Sequence, residues 1–77
     1  HVNNSKYLDW IFEVMGADFL SNHIPQKINL KYVKEVRPGG MITSSYELNG
    51  LESNHQVTSD GDINAQAKII WQEINTD

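Results

Sequence analysis

Seventy-seven residues with 39% hydrophobic and 21% charged side chains suit one small soluble domain with a thin core, and not a disordered segment. The absence of cysteine excludes a disulfide framework, a thiolate metal site and a cysteine nucleophile within the chain. The formal charge of -4 argues against nucleic acid as the main ligand, and no apolar run approaches the roughly 18 residues of a membrane span.

Residues 5–15 carry Tyr7, Leu8, Ile11, Val14 and Met15 at helical spacing, which predicts an amphipathic helix. Asn3 or Asn4 can cap its first turn through a side-chain oxygen, and Gly16 can end it in the left-handed region. Trp10 and Phe12 widen its apolar surface beyond one stripe, as expected for a helix wrapped by a sheet. Residues 17–24 read as a connector with one helical turn at 17–21, closed by Pro25.

From Gln26 the period changes to two: Ile28, Leu30 and Tyr32 alternate with Lys27, Asn29 and Lys31 in a half-buried strand. Arg37-Pro38-Gly39-Gly40 is a turn. Residues 41–48 form a second strand, 49–54 a loop and 55–59 a third strand. Asp60-Gly61 is a tight hairpin turn, and 63–74 a long last strand. One helix followed by four strands on short connections predicts an α+β domain over residues 1–77, with one long N-terminal helix on an antiparallel sheet. The edges of so small a sheet need covering, by a second copy or by further chain. His23 and His55 lack metal-ligand spacing to other donors, so no metal site or cofactor is expected.

Three segments resemble the hotdog-fold thioesterases, and among them the acyl-acyl carrier protein (acyl-ACP) thioesterases. His1-Val2-Asn3-Asn4 with Lys6-Tyr7 and Trp10 resembles the entry into their central helix. Tyr32-Val33-Lys34-Glu35 matches a Tyr-Arg-Arg-Glu-Cys type segment at the same spacing from the histidine, with Val36 in place of the cysteine. Ala65-x-Ala67-x-x-x-Trp71 resembles the closing strand. His-Val-Asn-Asn alone is shared with acyl-CoA thioesterases; its combination with Glu35 points to the acyl-ACP branch. The chain opens at His1, so the aspartate and first asparagine of the family's motif, and the strand bearing them, are not in it.

The resemblance implies a hotdog fold and hydrolysis of fatty acyl-ACP to free fatty acid, without a cofactor. It makes Glu35 the base that activates water and His1 its partner, with the helix N-terminus at Asn3 and Asn4 stabilising the charged carbonyl oxygen. Lys27, Lys31, Lys34 and Arg37 become a landing patch for acidic acyl carrier protein, and Trp10 and Phe12 candidate walls of the acyl pocket. Each has a plainer reading: a solvated strand face for Glu35 and the basic cluster, core for the aromatics, a frayed terminus for His1. The resemblance also implies a homo-oligomer or pairing with a second hotdog, a cytoplasmic or plastid-stromal location, and inactivity of the 77 residues alone. Acyl-CoA hydrolysis on the same fold, or a non-catalytic hotdog half, are the alternatives.

Overall fold

The computed structural model describes residues 4–37 and 39–74. Two helices, α1 (Asn4–Glu13) and α2 (Ala17–Asn22), precede four strands: β1 (His23–Tyr32), β2 (Ile42–Asn49), β3 (Glu52–Ser59) and β4 (Asp62–Glu73). The strands form one antiparallel sheet in the order β1-β4-β3-β2.

The long N-terminal helix expected over 5–15 is a short one, Asn4–Glu13, and the helical turn expected at 17–21 is the second short helix, α2. α1 stops at Glu13, and its last turn tightens through bonds from the amides of Met15 and Gly16 to the carbonyls of Phe12 and Glu13. Gly16, at φ 85°, then redirects the chain, a conformation cheap only for glycine. α2 restarts at once, and its end is held by Ser21 Oγ and Asn22 Nδ2, both donating to the carbonyl of Asp18.

α1 lies on one face of the sheet. Tyr7, Ile11 and Met15 pack on Val57 of β3 and on Ala65, Ala67, Ile69 and Trp71 of β4, with Val36 closing the cluster. The period-two burial of β3 and β4 follows from this: the odd-numbered residues from 53 to 59 and from 65 to 71 all face the helix. On the outer strands the same face is only half covered. Ile28 and Tyr32 of β1 sit opposite buried Ile69 and Ala65, yet are 41% and 44% exposed. Tyr46 and Leu48 of β2, opposite His55 and Ser53, are also exposed.

β1 begins at His23, ahead of the expected start. Pro25 does not stop it, because β1 is an edge strand and a bulge between Pro25 and Lys27 absorbs the missing donor. The expected loop over 49–54 is a two-residue turn at Gly50-Leu51. Asp60-Gly61 is the expected hairpin turn, with φ positive at both residues (51° and 83°), as a twist-matched two-residue turn requires.

Candidate active site

Beyond Tyr32 the regular strand ends and the chain crosses the end of β4. The amides of Val33 and Lys34 both donate to the carbonyl of Asn64, at 2.8 and 3.1 Å. The Asn64 side chain answers from the same place. Its Nδ2 donates to the carbonyls of Lys34 (3.1 Å) and Glu35 (3.3 Å), and its Oδ1 accepts from Ser59 Oγ (2.7 Å). Val36 then turns into the core, while Glu35 is exposed. Gly40 N–H donates to the carbonyl of Arg37, closing the turn before β2 with Gly39 at φ 77°.

A pocket of about 200 Å³ opens here, lined by Lys34, Glu35, Arg37, Asp60, Asp62 and Asn64 among others. Lys34 Nζ donates to Asp62 Oδ2 at 2.8 Å. That hydrogen bond and its charge, with a smaller contribution from Arg37, hold the Asp62 carboxyl below its usual range. Two of the four expected basic residues thus sit beside Glu35. The other two do not. Lys27 and Lys31 project from the helix-free face of β1, level with Ile70 and Gln66 of β4. Lys31 lines a broad polar groove of about 590 Å³ on that face, with Asn29, Glu47, Asn54, Gln66 and Lys68.

The first half of α1 lies close to the Glu35 segment: the ring of Tyr7 meets that of Tyr32 edge-on at 5.2 Å, and Val36 shares the cluster of Tyr7 and Ile11. His1 and Asn3 lie outside the described residues, as does the side chain of Asn4; the backbone of Asn4 opens α1. Trp10 and Phe12 are half-buried against the core, Trp10 on Tyr7 and Phe12 on Trp71, with Ser44 Oγ donating to the carbonyl of Trp10.

Sequence reasoning missed a second polar constellation. Trp71 Nε1 donates to Ser53 Oγ at 2.7 Å, and Ser53 Oγ lies 2.6 Å from His55 Nε2. Ser53 Oγ thus accepts from the tryptophan and shares one hydrogen bond with the imidazole. Nδ1 is buried without a partner among the described residues. The pair has the spacing of a serine nucleophile and its base, but Ser53 is 0% and His55 4% exposed. Ser53 Oγ is also engaged by Trp71, and no described residue orients the far side of the ring. Burial and the bond from Trp71 make this network part of the core. The only sequence trace of it was an i, i+2 pair of polar residues placed where period two demands burial.

Burial pushes the His55 imidazole below its ordinary value of 6.5. The unfolded chain therefore takes up a proton at a higher pH than the folded one, so His55 costs nothing above pH 6.5 and destabilises the fold as pH falls below it. The slope for one proton is about 1.4 kcal/mol per pH unit. Thermal melts between pH 7.5 and 5 should show this decline, and His55→Leu should flatten it; an equal decline in the variant would assign it to other groups.

The family model for the acyl-ACP thioesterase C-terminal domain matches residues 1–73. The fold resembles the 12:0-ACP thioesterase from Umbellularia californica, with a TM-score of 0.88 and 25% identity over 96% of this chain and 29% of that one. A protein described as an oleoyl thioesterase from Lactobacillus plantarum gives a TM-score of 0.86 at 24% identity, over 99% of this chain and 32% of that one. A thioesterase from Thermus thermophilus, complexed with coenzyme A and Zn, gives 0.82 at 19% identity, over 97% of this chain and 67% of that one. No curated protein sequence matches the chain. It spans under a third of the first two relatives, at 29% and 32% of their lengths. Two helices on one face of a four-stranded antiparallel sheet are the architecture of the hotdog-fold thioesterases. With residues 1–73 matched end to end, the chain belongs to the acyl-ACP thioesterase C-terminal domain family, a family of thioester hydrolases.

Proposed function

We propose that the protein carrying this chain hydrolyses fatty acyl thioesters held on acyl carrier protein, releasing free fatty acid for lipid synthesis. The observation that carries this reading is the family match over residues 1–73, which includes Glu35 on its pocket beside the first half of α1. In this reading Glu35 removes a proton from water as the oxygen attacks the thioester carbon, and His1 assists. The C–S bond then breaks, and the carrier's thiol leaves with a proton. The free N–H groups at the start of α1 face the negative charge that develops on the carbonyl oxygen. Val36 follows Glu35 and is buried, so this segment offers water activation and no thiol nucleophile. Trp10 and Phe12 are the candidate walls for the alkyl chain.

Lys27, Lys31, Lys34 and Arg37 serve as the landing patch in two parts, one on the helix-free face of β1 and one at the mouth of the Glu35 pocket. The half-exposed apolar side chains of β1 and β2 support a second hotdog or a second copy as the structural partner. No helix among the described residues is long and apolar enough to cross a membrane, which suits a stromal or cytoplasmic enzyme.

The test is fatty acid release by the full-length protein from acyl-ACP and from acyl-CoA of the same chain length, across a salt series. Acyl-ACP is expected to be the better substrate, with kcat/KM falling more steeply with salt, and Lys27→Glu with Lys31→Glu should slow that substrate alone. Equal salt dependence would remove the landing patch, a preference for acyl-CoA would reassign the substrate, and no release from either would leave a structural hotdog half.

A further inference from the structure

We infer that Asn64 is a positioning residue that fixes the Glu35 segment, and that a bulge in β4 exists to aim it there; the inference rests on the reading of Glu35 as the base. The register of β3 on β4 pairs Val57 with Ala65 and Thr58 with Ile63, which leaves Asn64 as the extra residue on β4. The consequence is visible in burial. From Ala65 to Trp71 β4 alternates, but Asn64 and Ala65 are buried in succession, at 1% and 0% exposure. Asparagine is a poor strand residue, and a buried amide costs stability unless it is bonded. Strand packing alone therefore gives no reason for it.

Its bonds give the reason. The main-chain carbonyl takes the amides of Val33 and Lys34, and the side-chain Nδ2 donates to the carbonyls of Lys34 and Glu35. One residue thus grips three consecutive residues, ending at the proposed base. The amide orientation follows from its partners: backbone carbonyls only accept, so Nδ2 must face them and Oδ1 must face the Ser59 hydroxyl. Ser59 is buried as well and locks the amide from behind. Bulges commonly re-aim a side chain beside an active site. Here the bulge turns an amide inward at the one place where the chain leaves the ladder of β1 and β4. Val36 anchors the far end of the segment in the core, so Glu35 is held between two fixed points at the pocket it lines.

The experiment is a double-mutant cycle in the full-length protein, with Asn64→Ala and Glu35→Gln alone and together, reading kcat and KM for acyl-ACP. Asn64→Ala should lower kcat by about 10- to 100-fold with little change in KM, since small misplacement of a reacting group costs that much. In the Glu35→Gln background it should change kcat by less than about twofold, because nothing remains to be positioned. Ser59→Ala, which leaves Asn64 in place, should give a smaller loss of the same kind and carries the test if Asn64→Ala does not fold. Losses that multiply in the double variant, or a fall in melting temperature with kcat unchanged, would overturn the positioning role and leave Glu35 as the base. Full activity in Glu35→Gln alone would instead sink the base, and the positioning role with it.

Discussion

Glu35→Ala in the full-length protein is expected to lower kcat for acyl-ACP hydrolysis by roughly 10²–10⁴-fold, the usual contribution of a well-placed general base. KM should change little, since the carboxylate acts on water and does not grip the substrate. Glu35→Asp keeps the carboxylate but withdraws it by one methylene, and should retain part of the rate. Glu35→Gln keeps the length and loses the base, and should resemble the alanine variant. Structure should be preserved in all three, because the side chain is exposed and the segment is held by Val36 and Asn64. A Glu35→Ala enzyme with undiminished kcat would end the water-activation mechanism.

The largest stability effect is expected at Trp71, which is 1% exposed. Its ring meets Phe12 and Phe19 edge-on at 6.0 and 4.9 Å, and its N–H opens the hydrogen-bond chain to Ser53 and His55. Phe19 in turn stacks flat on His23, with ring centroids 3.9 Å apart, so the tryptophan joins both helices to the sheet. Trp71→Ala should cost about 3–5 kcal/mol. A folded chain of 77 residues holds roughly 4–12 kcal/mol in total, so the loss is at least about a quarter of it. Trp71→Phe keeps most of the apolar contact but deprives Ser53 of its donor, and should cost about 1–3 kcal/mol. Urea titration of the three proteins measures both; a loss below about 1 kcal/mol for the alanine variant would place the centre of the core elsewhere.

Where one physical signal dominated, the fold was legible in the sequence. Helical spacing of Tyr7, Ile11 and Met15 marked the buried stripe of α1, and Asp60-Gly61 announced its turn. Errors came where two signals competed. Val14 and Met15 continue the helical pattern, but they lie in the tightened turn that leads into Gly16. Pro25 reads as a breaker, yet an edge strand with a bulge tolerates it. Ser53 reads as a loop residue because it is polar, and its bonding to His55 and Trp71 permits its burial in β3.

The candidate site was less legible. Tyr32-Val33-Lys34-Glu35 stands out by resemblance, while parity puts Glu35 on a plain strand face; the strand ends at Tyr32, so parity does not reach Glu35, which is exposed at a pocket. The basic cluster was compact in sequence but divides between two faces, because alternation holds only through Tyr32. Asn64 gave no signal: one asparagine in an apolar strand is ordinary until the register shows that it is the extra residue.

The order of strands also has a kinetic meaning. β2, β3 and β4 are joined by two-residue turns, so their pairing closes small loops and can zip from either hairpin. β1 pairs with β4 across a long stretch of chain, from Tyr32 with Ala65 to His23 with Glu73. That pairing therefore carries the largest loop-closure cost of the three. The segment that bears Glu35 leaves directly from the end of β1. The hairpins supply the platform that closes at least cost, and the proposed base follows the strand whose docking costs most.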